Sequence, residues 1–183
     1  MKKRLLFLFA TSFYIYSVPA QTKSIKKKSS EENGVSVSAG VSIPVGDFSS
    51  THLIGIGVDC SPTLHSFGKI KAKKTAFTYN GGLAYYFGKK ETVSGYPYAY
   101  PGYFLIHTFC GVLYNPVKNG SVTLTAGPAL GIYNGNTQFN IGSKLEVSYY
   151  ISKKIAIGPG IILMKESGAD PLWAAAVKAI LSL

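Results

Sequence analysis

Asn33-Gly-Val-Ser-Val-Ser-Ala-Gly-Val-Ser-Ile-Pro-Val-Gly-Asp-Phe48 alternates with a period of two. Val35, Val37, Ala39, Val41 and Ile43 fall on one side of an extended chain, and Ser36, Ser38, Gly40 and Ser42 on the other. Successive side chains of a strand point to opposite faces, so the stretch reads as a strand with one apolar side and one small, polar side. In a soluble sheet the apolar side faces a protein core. In a membrane barrel it faces lipid, and the polar side faces the interior. The other strands decide between the two.

The same alternation recurs down the chain. A second strand carries Ile54, Ile56, Val58 and Cys60 opposite Gly55, Gly57, Asp59 and Ser61. A third sets Phe77, Tyr79, Leu83, Tyr85 and Phe87 against Ala76, Thr78, Asn80, Gly82 and Ala84. The fourth, Gly102 to Tyr114, is apolar on both sides; the preferred register turns Phe104, Ile106, Thr108, Cys110 and Val112 outward and His107 inward. Val122, Leu124, Ala126, Leu130 and Ile132 mark a fifth, and Phe139, Ile141, Leu145, Val147 and Tyr149 a sixth that turns Lys144 and Glu146 to the polar side. Ile155, Ile157, Ile161 and Leu163 mark a seventh. In the last, Trp173, Ala175, Val177, Ala179, Leu181 and Leu183 oppose Ala174, Ala176, Lys178 and Ser182. About eight strands of roughly ten residues predict an all-β chain, and no helix-period segment competes. Short links such as 115–119 and 152–154 demand antiparallel hairpins, because a parallel crossover needs a dozen or more residues.

The apolar faces hold no lysine or glutamate, whereas the opposite faces are mostly serine, threonine, glycine, alanine and asparagine. Eight water-facing strand faces would carry far more charge. The pattern therefore predicts an antiparallel up-and-down transmembrane β-barrel over 34–183, with lipid outside. Tyr79, Tyr85, Phe87, Tyr103, Tyr114, Tyr133, Tyr149, Tyr150 and Trp173 near the strand ends are read as interfacial belts. With the amino end in the periplasm, 115–119 and 152–154 become periplasmic turns and 88–101 the longest outer loop. The connection 63–74 is long for a periplasmic turn, and Tyr133-Asn-Gly-Asn136 is short for an outer one.

Upstream, Met1-Lys-Lys-Arg4, the apolar run Leu5–Tyr16 and Val18-Pro-Ala20 form the three parts of a secretory signal peptide over 1–20. The run is too short for a spanning helix. Polar, aperiodic residues 21–33 predict a disordered basic leader. Removing Lys2, Lys3 and Arg4 leaves sixteen lysines against eight acidic residues, about +8. The lysines cluster in connections rather than beside stacking aromatics, which argues against nucleic acid and for solvated turns and anionic lipid headgroups.

Ile43-Pro-Val-Gly-Asp-Phe48, followed by the Gly55-Ile-Gly57 strand, resembles the small outer-membrane β-barrel proteins common in Bacteroidetes, which share the eight-stranded OmpA/OmpX-type architecture. The likeness covers about 34–183. Such barrels usually finish on an aromatic residue, where Leu183 stands here. The resemblance implies the cell outer membrane, contact with outer-membrane lipid and with the assembly machinery, and no single activity.

Asp59, Lys144, Glu146 and Lys178 all point inward. In an eight-stranded barrel, wide enough only for side chains, they read as a salt-bridge plug that fills the lumen. The alternative is a charged constriction in a narrow pore for ions or small solutes. A second alternative, a soluble periplasmic ligand-binding barrel, requires the apolar faces to be inverted. His52, His65 and His107 show no spacing to a nucleophile and acid, and no Gly-x-Ser-x-Gly elbow occurs, so no enzyme and no catalytic residue is expected. His107 reads as a packed interior residue. Scattered histidines and cysteines predict no metal and no cofactor. Cys60 and Cys110, with a whole strand between them, lie beyond disulfide reach and read as free, lipid-facing residues. Tyr96, Tyr98 and Tyr100, within Gly95-Tyr-Pro-Tyr-Ala-Tyr-Pro-Gly102, form a candidate surface-contact loop, or else anchors at the membrane interface. The expected role is structural, in envelope integrity or surface interaction with an envelope or surface protein, as a monomer.

Overall fold

The computed structural model describes residues 34–64, 74–166 and 170–183. The signal peptide expected over 1–20, the leader over 21–33 and His65 lie outside these residues. Eight strands form a closed antiparallel barrel: β1 (Gly34–Val45), β2 (His52–Leu64), β3 (Thr75–Gly88), β6 (Tyr103–Val117), β7 (Gly120–Tyr133), β8 (Asn136–Tyr150), β9 (Ile155–Glu166) and β10 (Leu172–Ser182). Each pairs with its neighbour in chain order, and β1 closes on β10. A separate hairpin, β4 (Lys90–Val93) and β5 (Tyr96–Ala99), stands in the longest connection. The eight strands read from the sequence are these eight, with the faces assigned there, including the register of β6: Leu105 and Phe109 are buried, while Thr108 and Cys110 are exposed.

The stagger sets the width of the lumen. Starting at Glu146 and stepping through paired residues, the path runs Gly160, Ala176, Ser42, Gly55, Tyr86, Tyr103, Tyr133 and back to β8 at Asn136. It returns ten residues from its start. With about 3.3 Å per residue and about 4.8 Å between strands, that stagger tilts the strands by about 40° and gives a backbone radius of about 8 Å. Side chains fill such an interior. At this tilt the outward row from Val35 to Val45 rises about 25 Å, the height of an outer-membrane lipid-facing band. Val41, Ile56, Leu124, Ile141, Ile161 and Val177 are among the exposed apolar residues of that band. The interior, by contrast, holds Ser38, Thr78, Asn80, Ser121, Thr125 and Ser148. This is the reverse of a soluble carrier barrel.

Two connections are more structured than their sequence suggests. Residues 44–51, a Pro/Gly/Asp/Ser connection by composition, include a one-turn helix, α1 (Phe48–Thr51). Gly46 has φ +64°, a left-handed conformation suited to glycine, and its carbonyl accepts from Ser49 N at 3.0 Å and Ser49 Oγ at 2.6 Å. This turn drives Phe48 into the barrel mouth. There it meets the rings of His52 (4.6 Å), Tyr86 (4.9 Å) and Tyr103 (5.6 Å) above Leu105, Phe109 and Met164. The longest connection, in turn, folds into β4–β5 around Ser94 and Gly95, both at positive φ. Asn134-Gly135, also at positive φ, makes the two-residue turn between β7 and β8 that Asn-Gly favours.

The aromatic belts need a correction. Tyr85, Phe87 and Trp173 are exposed toward one end of the wall and Tyr114 and Tyr149 toward the other, but Tyr103, Tyr133 and Tyr150 turn to the lumen side. Alternation explains it: the register that puts Phe104 and Tyr149 outside puts Tyr103 and Tyr150 inside.

Candidate functional site: a charge cross in the lumen

In the barrel order β1-β10-β9-β8-β7-β6-β3-β2, strands β2, β10, β8 and β6 lie two steps apart. They face the axis from four sides. Each contributes to one layer: Asp59 from β2, Lys178 from β10, Lys144 and Glu146 from β8, and His107 from β6. Lys144 Nζ reaches across the diameter to Asp59 Oδ2 at 3.2 Å and also contacts Glu146 Oε2 at 2.7 Å. Lys178 Nζ pairs with Asp59 Oδ2 and lies 3.6 Å from Glu146 Oε1. All four charged residues singled out from the sequence therefore meet in one network. Two lysines against two carboxylates leave it electrically balanced, and Asp59 and Lys144 are almost wholly removed from solvent.

Polar neighbours complete the coordination. Asn80 Nδ2 donates to Ser61 Oγ at 2.8 Å, which turns its carbonyl oxygen to accept from Lys144 Nζ at 2.8 Å. His107 Nε2 lies 2.9 Å from that same oxygen and 3.0 Å from Asp59 Oδ1. Both are acceptors, so Nε2 carries the proton. His107 is thus a member of the network, whereas the sequence suggested only a packed ring. The missed signal is Gly82, which pairs with Asp59 on one side and His107 on the other.

Glycine makes room for each anion and for Lys178. Gly82 lies beside Asp59, Gly160 beside Glu146, and Gly40 beside Lys178. A Cβ at Gly82 would stand 2.0 Å from Asp59 Oδ1 and 2.8 Å from the Val58 carbonyl. Gly82→Ala should therefore cost about 1–3 kcal/mol by overpacking. The adjacent outward Gly81, with nothing within 4 Å of such a Cβ, should accept alanine with no loss. Urea unfolding of the two variants checks the contrast.

Toward the mouth closed by Phe48, a second polar group is buried. Glu166 Oε1 accepts from Tyr103 Oη at 2.7 Å and from Asn140 Nδ2 at 3.1 Å. Glu166 carries little signal in the alternation because it is the last residue of β9. Toward the opposite mouth the lumen is lined by Ser36, Ser61, Thr63, Ser121 and Thr123 around a cavity of about 50 Å³.

The three loop tyrosines stand apart from this network. Tyr96 is 77% exposed and Tyr98 48% exposed on β5, and Tyr100 follows it. Tyr100 Oη donates to Glu91 Oε1 at 2.6 Å, which raises its phenol above the ordinary value, and its ring meets Tyr98 edge-on at 4.8 Å. Cys60 and Cys110 are free and exposed on the outer wall, each paired to β3 and so separated by it.

No family model and no curated protein matches the chain. Solved structures do. Ail, the attachment invasion locus protein of Yersinia pestis, aligns with a TM-score of 0.53 at 10% identity, over 83% of this chain and 99% of that one. The backbone structure of the Yersinia pestis outer membrane protein Ail in a phospholipid bilayer nanodisc gives 0.54 at 11%, over 83% and 100%. The N-terminal β-barrel domain of Pseudomonas aeruginosa OprF gives 0.51 at 12%, over 83% and 98%. At these identities the likeness is one of fold, and the fold is that of the small eight-stranded outer-membrane β-barrels.

Proposed function

We propose that this chain is an outer-membrane barrel of the Bacteroidetes type, exported through a cleaved signal over 1–20, whose sealed lumen stiffens a scaffold for envelope integrity and surface contact. The single observation that carries the reading is the balanced charge cross. It joins four sides of a lumen whose outer wall is apolar over a bilayer-sized band. Further support comes from the stopper of Phe48, Tyr86 and Tyr103 at one mouth. An open pore needs a continuous polar path, and two barriers in series interrupt it. With the chain ends in the periplasm, the β4–β5 hairpin and its tyrosines face outward, where large, rigid rings give contact area at low entropic cost. The role is non-enzymatic, and the barrel works as a monomer.

The test is the membrane fraction and the bilayer. The full-length product should appear in the outer membrane as a folded band that changes gel mobility only after boiling, and should show baseline conductance in planar bilayers. A soluble periplasmic protein would sink the membrane reading. Steady conductance that changes with Glu146→Gln would establish the narrow pore instead.

A further inference from the structure

The end of the barrel that carries Gly34 and Leu183 is basic throughout its described residues. Lys74 precedes β3, Lys118 stands in the β6–β7 turn, and Lys153 and Lys154 occupy the β8–β9 link; all four are exposed. No aspartate or glutamate side chain joins them among the described residues, since Asp59 and Glu146 lie inside the lumen and the remaining acids are at the hairpin end. The lysines follow one another around the rim. Asn115 N donates to the Lys74 carbonyl, Tyr150 N to that of Asn119, and Ser182 N to that of Lys154, which ties the turns of successive strands together. Directly inward along the wall come the exposed apolar side chains of Tyr114, Val117, Tyr149 and Ile155.

A lysine just beyond an apolar, aromatic band can lay its stem on that band and extend its ammonium group to the depth of lipid phosphates. We propose that this rim is a docking surface for the headgroups of anionic phospholipids in the leaflet around it. The inference rests on the membrane reading above. The recognised chemistry is the phosphate diester without a compensating cation, so a zwitterionic headgroup is held less well. Each lysine near such a surface favours the anion by about fivefold at low salt, an effect that salt screens.

The experiment reads lipid preference at the two ends separately. Trp173, the only tryptophan, lies at the hairpin end of β10 and is exposed on the wall. Tyr149→Trp in a Trp173→Phe background moves the reporter to the lysine end. Each full-length form is folded into vesicles containing bromine-labelled phosphatidylglycerol or bromine-labelled phosphatidylcholine, and quenching gives the relative association of the two lipids. The expected result is roughly fivefold preference for phosphatidylglycerol at position 149 and none at Trp173. Exchanging Lys74, Lys118, Lys153 and Lys154 for serine, or adding high salt, should bring the ratio at 149 to about one. Equal quenching by both lipids at 149, or a preference that survives exchange of all four lysines, overturns the rim. Absence of quenching by either lipid overturns membrane insertion, and the rim with it.

Discussion

Asp59→Ala should destabilise the folded barrel by about 3–5 kcal/mol, measured as a lowered urea midpoint of the lipid-inserted protein. Asp59 accepts from both lysines and lies against His107. Without it, Lys144 and Lys178 share Glu146 alone in an interior where little water can enter. Breaking a buried pair from one side leaves a charge without its counterpart, which costs more than the pair contributed. A second variant separates this from simple loss of packing. Asp59→Ala combined with Lys144→Met removes one charge of each sign and fills the diameter with an apolar side chain. It should recover most of the loss, and a double variant no more stable than Asp59→Ala would refute the charge argument.

Phe48→Ala should cost about 3–5 kcal/mol, the usual price of truncating a buried aromatic ring. Phe48 is 3% exposed and stacks among three rings at the mouth, although it belongs to a helix of only four residues. Its position is fixed from outside the barrel as well, because Lys89 N donates to the Thr51 carbonyl at 2.8 Å and Lys89 Nζ to the Ser49 carbonyl. On the plugged-lumen proposal the variant should nevertheless stay at baseline in planar bilayers, since the charge cross lies deeper and would close the lumen independently. Ion flow through Phe48→Ala alone would show that the stopper is the real seal and the cross a hydrated constriction.

How much of this was legible before folding follows from distance along the chain. Period-two alternation is a local property, so the strands, their outward faces and the inward direction of Asp59, Lys144, Glu146 and Lys178 could be read directly. Which of those four touch is not local. Asp59 and Lys144 meet because the stagger of ten residues brings opposite strands into one layer, and stagger is a property of the closed ring. His107 escaped for the same reason: its partner lies two strands away across a glycine. Phe48 escaped because a single helical turn has no period to detect. Tyr103 and Tyr150 were assigned to the belts from their nearness to strand ends, although their own alternation places them inside. The β4–β5 hairpin was hidden because a two-stranded ribbon outside the wall buries little and so carries no apolar signature.

The closure of β1 on β10 places Ser36 opposite Ser182, almost the full span of the described chain. Until β10 arrives, the sheet keeps two bare edges, one on β1 and one on β9. In hydrocarbon an open edge is untenable, because each bare amide lacks water to bond. A ring fully surrounded by hydrocarbon therefore requires this final seam, a pairing of distant ends of the kind that forms slowly. For this chain the last two bare edges disappear only when its final eleven-residue strand, Leu172–Ser182, pairs with both β9 and β1.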